Sequence, residues 1–161
     1  MALAPRSLPS HHGPPSGLLR LLLKAPIPLY LAGLGWLFGH RLLMLEHRGR
    51  SSRGVHRSVV EVVAYDRRTH ESIVAAGWGT ATQWYRDIQV QPAVEIHIGA
   101  QQFAPVQRFL GEDEAHDVLD DYVLGHRIAA RFILRWLGYD WTREGRERFY
   151  DTVRLVGFRP R

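Results

Sequence analysis

The chain has 161 residues, 45% of them apolar, with five Trp, six Tyr and six Phe, a composition that supports one buried core and excludes a disordered chain. It holds no cysteine, which excludes disulfide frameworks, iron–sulfur clusters and thiolate zinc sites and fits a cytoplasmic protein. The formal charge is +5, carried almost wholly by arginine with Lys24 the one lysine, so an anionic partner is expected: phosphate, acidic cofactor, nucleic acid or membrane.

Residues 1–16 are rich in Pro, Ser and Gly and are expected to be a disordered tail. Residues 17–40 form an amphipathic helical segment, apolar but broken by Arg20, Lys24, Pro26 and Pro28. Its longest uncharged run, Ala25 to Phe38, falls short of the roughly 20 residues needed to span a bilayer. No small-residue cleavage site follows it, so a signal peptide is not expected. The segment is read either as core-packing helices or as a stretch lying on the membrane surface.

From Arg41 onward the period drops to two, the signature of strands, and residues 41–161 form one domain. Arg41–Arg48 and Arg57–Tyr65 flank a basic loop, and Ser72–Ala76 is a short strand buried on both faces. Trp84–Gln91 suits two helical turns with Thr82 as N-cap. Val94–Ile98 alternates as a half-exposed strand whose His97 is expected to be solvated. Gln101–Leu110 follows as one strand, with Pro105 marking an edge or a bulge. Two amphipathic helices, carrying Leu119 and Tyr122 and then Phe132 and Trp136, are separated by Gly125. Thr152–Arg159 closes the chain. The pattern is α+β: a barrel of about six strands with helical inserts.

Generic catalytic motifs are absent. There is no nucleophile elbow, P-loop or zinc-binding His-Glu-x-x-His, and Gly77-Trp78-Gly79 lacks the βαβ setting of a dinucleotide fingerprint. No metal site and no catalytic acid–base pair is assigned. The acidic run from Glu112 to Asp121 reads as the solvated face of a helix. No nucleic acid is expected, because neither an aromatic platform nor a reading helix accompanies the basic loop.

Two clusters stand out. Arg48, Arg50, Ser51, Ser52, Arg53, His56 and Arg57, with Gly49 and Gly54 between them, combine guanidinium forks, hydroxyls and flexible amides, the chemistry that binds phosphate or carboxylate. Val74, Ala75, Ala76, Gly77 and Trp78, followed by Trp84 and Tyr85, let a flat ring approach a strand end between aromatic walls.

In order and spacing, Gly49-Arg50-Ser51-Ser52-Arg53-Gly54-Val55-His56, Ala75-Ala76-Gly77-Trp78-Gly79 and Trp84-Tyr85-Arg86-Asp87-Ile88 resemble the deazaflavin (F420)-dependent nitroreductase and quinone-reductase family. Ser51, Arg53, Val55 and His56 stand where that family's loop carries Lys, Gly, Pro and Arg. The resemblance implies a split β-barrel of the flavin-reductase, FMN-binding type. It implies coenzyme F420, with FMN a weaker alternative, its tail on the basic loop and its ring over residues 74–78. The implied reaction is hydride transfer to a lipophilic, electron-poor acceptor such as a quinone, enone or nitro compound, in a mouth lined by Tyr139, Trp141, Phe149 and Tyr150. A homodimer and a peripheral position on the inner membrane face are compatible with it. The alternative is a relative that has lost the coenzyme and binds a hydrophobic ligand or membrane, or runs a non-redox reaction in the same pocket.

Overall fold

The computed structural model describes residues 24–52 and 54–161. The expected tail, the first part of the amphipathic segment and Arg53 lie outside these residues. Seven strands form one sheet: β1 (Leu42–Arg48), β2 (Val55–Asp66), β3 (Glu71–Ala76), β4 (Glu95–Ile98), β5 (Gln101–Phe103), β6 (Pro105–Phe109) and β7 (Arg154–Pro160). Their order is β5-β4-β1-β2-β3-β7-β6, and every pairing is antiparallel. The two edge strands, β5 and β6, are consecutive in the chain with only Ala104 between them. A sheet whose outer edges share one covalent joint must roll up, and the result is a split barrel. The long strand β2 serves both halves, and its register with β3 shifts between Val62 and Ala64, a bulge that turns the sheet around the corner.

The expected single strand Gln101–Leu110 is therefore two strands that face opposite edges, which makes seven rather than six. Pro105 begins the second of them, where its missing N–H is harmless.

Among the described residues there are five helices: α1 (Pro26–Leu31), α2 (Gln83–Val90), α3 (Glu112–Gly125), α4 (Arg127–Trp136) and α5 (Arg143–Thr152), with 3₁₀ turns at Gly35–Phe38 and Gly79–Ala81. Helix α5 was not anticipated, and β7 starts at Arg154 rather than Thr152. Its start is capped by Thr142, whose Oγ1 accepts from the Gly145 N–H at 3.0 Å. The charge-rich run Arg143–Arg148 hides the single apolar turn, Phe149 and Tyr150, that buries it.

Strand alternation sorts side chains into two cores. Leu43, Leu45, Val60, Val62, Val74, Ala76, Val156 and Phe158 point into the barrel, plugged at one end by Trp84, Tyr85 and Ile88 of α2. Ile73 and Leu155 point outward, where Leu119, Tyr122, Leu134 and Leu137 of α3, α4 and the turn after α4 cover them. At roughly 1.5–3 kcal/mol for each large aliphatic or aromatic side chain buried, both layers are needed to hold so small a domain.

The α1 region buries only one anchor deeply. Tyr30 is 5% exposed, donates to the Leu42 carbonyl at 2.7 Å, and burial pushes its phenol up to about 12. Leu31, Trp36 and Leu37 remain exposed. Among the described residues, no helix is long and apolar enough to cross a membrane.

Candidate functional site

A cavity of about 430 Å³ lies between the barrel and the helical layer. Its barrel wall is Ser58, Val60 and Val63 of β2 with Ala75, Gly77 and Trp78 at the end of β3. Its helical wall is Leu119 and Tyr122 of α3, Ile133, Trp136 and Leu137 of α4 and its end, and Phe149 of α5. Trp78 meets Trp136 edge to face, with centroids 5.5 Å apart. The end near the β1–β2 loop is polar, with His47, His56 and Arg57, whereas Glu61, opposite Leu42, lies at the far end of the β1–β2 ladder; Thr82, Trp84 and Lys24 are also on the lining.

Beneath that polar end lies a buried network. His47 continues the inward face of β1 after Leu43 and Leu45, and Asp87 sits on the buried face of α2 beside Trp84 and Ile88. His47 is 2% and Asp87 1% exposed. Nδ1 of His47 lies 3.1 Å from Oδ2 of Asp87, an approach whose angle falls short of a straight hydrogen bond. Nε2 of His47 lies 3.1 Å from the Ser58 hydroxyl, within hydrogen-bond geometry. Oδ1 of Asp87 accepts from Arg50, from Nε at 3.0 Å and from the backbone N–H at 3.3 Å. Burial pushes the His47 imidazole below its ordinary value, the Asp87 carboxylate opposes that, and His56 adds to it.

The loop between β1 and β2 forms a second, polar notch of about 480 Å³, lined by Arg48, Gly49, Arg50, Ser51, Ser52 and Gln91. The Ser52 hydroxyl lies 2.8 Å from Nε2 of His56. A Cβ on Gly49 would come within 2.6 Å of Ser52 Oγ and 2.8 Å of His56 Nε2, so a side chain there would displace the Ser52–His56 pair. Two arginines here already carry carboxylates: Arg50 of the loop holds Asp87, and Nε of Arg57, on β2, donates to Glu46 at 2.6 Å.

The expected site residues divide accordingly. His56, Arg57, Ala75, Gly77, Trp78, Trp84 and Phe149 line the cavity, and Arg48, Arg50, Ser51 and Ser52 line the notch. Val74, Ala76 and Tyr85 point into the barrel interior instead, because period-two alternation sends every second residue of β3 away from Ala75. Tyr139 and Tyr150 are buried in the helical core, and Tyr150 donates to Asp120 at 2.7 Å, with its phenol raised by burial and that carboxylate. Trp141 lies on a surface groove with Arg127, Ile128, Arg131, Phe132 and Arg135, under the Arg146 guanidinium. The four aromatics therefore form no common mouth, and only Phe149 reaches the cavity. His97 is not solvated: its Nε2 lies 3.2 Å from Glu95 and 4.0 Å from Glu46.

His47, Ser58, Thr82 and Asp87 were missed. Alternation with Leu43 and Leu45 marks His47 as inward, and the i, i+3 spacing of Trp84 and Asp87 marks the carboxylate as buried, but neither pattern announces the partner. Thr82 precedes α2 as expected, yet its side chain makes no capping bond. Its buried Oγ1 has no hydrogen-bond partner and stands in the cavity wall.

A family model for F420H2-dependent quinone reductases matches residues 32–124, more than half of the chain. The chain belongs to that family. It is therefore an oxidoreductase, and its coenzyme is F420. Among solved structures, the chain is similar to one described as a domain-swapped dimer, at 9% identity and TM-score 0.51, covering 88% of this chain and 99% of that one. It is also similar to a protein of unknown function, Atu2129 from Agrobacterium tumefaciens, at 13% identity and TM-score 0.50, covering 85% of this chain and 55% of that one. An F420-H2 dependent reductase, FDR-A, aligns at 11% identity and TM-score 0.47, covering 73% and 93%. No curated protein matches.

The residues present fit the family's coenzyme on two counts. The orphaned Thr82 hydroxyl offers an unused polar contact on the cavity lining, where an unmet buried hydroxyl is costly. At Gly77 a Cβ would already touch Leu137 at 3.4 Å, so the missing side chain keeps that wall open to a flat ring.

Proposed function

We propose that this reductase transfers hydride from reduced F420 to a lipophilic, electron-poor acceptor bound in the 430 Å³ cavity, a quinone, enone or nitro compound. Bound F420 supplies two electrons as a hydride, leaving the chain to bind, orient and exclude water. Arg48, Arg50, Ser51 and Ser52 are the residues proposed to hold the anionic tail. Ala75, Gly77, Trp78, Thr82 and Trp84 are proposed to hold the ring.

One observation carries the acceptor class. Trp136 belongs to the cavity lining and stands one helical turn from exposed Phe132 on α4, with exposed Ile128 one turn further; Leu31, Trp36 and Leu37 at the end of α1 and after it are exposed as well. A cavity beside such a surface suits a guest taken from a lipid phase. Ile128 is 87% and Phe132 77% exposed, and Arg127, Arg131 and Arg135 share their groove. Apolar side chains between arginines suit an anionic membrane surface. A second copy docked by this same face would instead oppose arginine to arginine.

Titration with F420, read by tryptophan quenching, followed by anaerobic turnover with menadione, tests the reading. Saturable binding and menadione-dependent oxidation of reduced F420 support it. Binding without turnover for menadione, an enone and a nitroarene alike overturns the acceptor class.

A further inference from the structure

We infer that Ser58, His47 and Asp87 form a proton-delivery line ending at the oxygen of the acceptor. The inference rests on the proposed reduction in the cavity and adds the step that hydride transfer leaves unfinished.

Hydride adds two electrons and one proton's worth of hydrogen to a quinone or enone, and the product oxygen is left negative. A second proton must reach that oxygen, and Val60, Val63, Leu119 and Leu137 on the cavity wall have none to give. The Ser58 hydroxyl stands in the cavity lining with His47 Nε2 3.1 Å behind it. Asp87 stands 3.1 Å behind the other ring nitrogen. The negative Asp87 oxygen 3.1 Å from Nδ1 favours the tautomer of neutral His47 with its proton on Nδ1, and Nε2 faces Ser58. Negative charge arriving at the acceptor favours the imidazolium, which burial otherwise disfavours. The Ser58 O–H bond then breaks as the acceptor oxygen takes its proton, and the Nε2–H proton of His47 replaces it on Oγ. One proton is delivered through Ser58 for each hydride, and F420H2 releases one of its own on oxidation, so the overall reaction consumes none. His56, exposed and with its ring 5.9 Å from that of His47, marks the solvent side.

The charged and titratable groups facing His47 are Asp87 and, through it, Arg50 on α2 and the loop, with His56 and Ser58 on β2. Asp87 is pinned by Arg50 at 3.0 Å, so it positions the ring. The other proton-bearing pair on the lining is the weaker source. Tyr122 donates to Glu61 at 2.7 Å, and burial with that carboxylate raises its phenol far above neutral pH. Thr82 has no base behind it.

The test compares the wild type with Ser58→Ala, Ser58→Thr and His47→Gln. Single-turnover oxidation of reduced F420 by menadione is measured in H2O and D2O, beside equilibrium binding of F420 and the thermal midpoint. The expected result is a rate about 100-fold lower in Ser58→Ala and His47→Gln, with the wild-type solvent isotope effect lost, F420 affinity kept in Ser58→Ala, and Ser58→Thr restoring most of the rate. A Ser58→Ala enzyme that binds F420 and keeps the wild-type rate and isotope effect overturns the line while sparing the reductase reading. A wild type that ignores menadione overturns that reading instead. The line is then judged by nitrogen-15 NMR of the histidines without coenzyme: neutral His47 protonated on Nδ1 supports it, and protonation on Nε2 overturns it.

Discussion

Nε of Arg50 lies 3.0 Å from a carboxylate of Asp87 that is 2% exposed, which fastens the basic loop to helix α2. Read from the sequence, Arg50 is a surface cation waiting for a ligand. In the fold it is also the partner of a buried anion, so removing its side chain leaves that anion with only His47 and the backbone N–H of residue 50. Arg50→Ala is expected to lower stability by about 3 kcal/mol, the low end for breaking a buried pair, since the guanidinium itself is partly exposed. Asp87→Asn in the same chain should recover part of the loss. A double-mutant cycle by urea unfolding measures it, and equal stability of wild type and Arg50→Ala would count against the pairing.

The position of Gly79 makes a sharper stability prediction. Its φ is +53°, and a Cβ there would collide with the Thr152 carbonyl oxygen. The left-handed backbone alone disfavours a side chain by about 1–2 kcal/mol. Gly79→Ala should exceed that figure in chemical denaturation, whereas Gly111→Ala, where a Cβ meets nothing, should change little.

His47 gives the acid side of the stability curve a specific signature. Burial lowers its folded-state value below the ordinary 6.5, so the unfolded chain binds the proton first. Its contribution is fully present above pH 6.5, is lost as pH falls from there toward the folded value, and is gone below it. Thermal midpoints of the wild type should drop through that window more steeply than those of His47→Gln. Parallel curves would show that His47 does not titrate with folding.

Trp78 stands on the cavity wall with Trp136 at its edge. F420 binding should quench indole fluorescence, and Trp78→Ala should weaken binding by about 0.5–1.5 kcal/mol beyond the lost contact area. If Trp78→Ala binds F420 more tightly, the indole is occupying the ring's place.

The exposed face of α4 predicts a lipid preference. Sedimentation with anionic vesicles should fall when Ile128 and Phe132 are both changed to Asp, and neutral vesicles should bind neither protein. Wild-type sedimentation by the double variant would remove α4 from the contact.

Much of this fold was readable in the sequence because alternation is local. Leu43, Leu45 and His47 announce the inward face of β1, and the residues that follow Arg41 give up their strands by period alone. The break at Ala104 was not readable: Gln101 to Phe109 alternates on both sides of it, and only the pairing of β5 with β4 and of β6 with β7 reveals two strands. Helix α5 was obscured by its own charges. At the site, the sequence could group Arg50 with its loop and Asp87 with its helix. It could not bring the two together, since 37 positions separate them. The aromatics Tyr139, Trp141 and Tyr150 misled for the converse reason, since chain proximity does not say which side of a helix layer a ring will take.

The Ala104 joint has a further consequence for how this architecture can diversify. With one residue linking the two outermost strands, the circumference of the barrel is a closed quantity, and lengthening either strand would spring the seam. The opposite wall of the cavity has no such constraint, being made of α3, α4 and α5. Their chain connections to the strands are Leu110 and Val153, and their other contacts with the barrel are made by side chains, as between Tyr122 and Glu61. A lineage seeking new acceptors is thus free to redraw the helices while the strands stand as a fixed template.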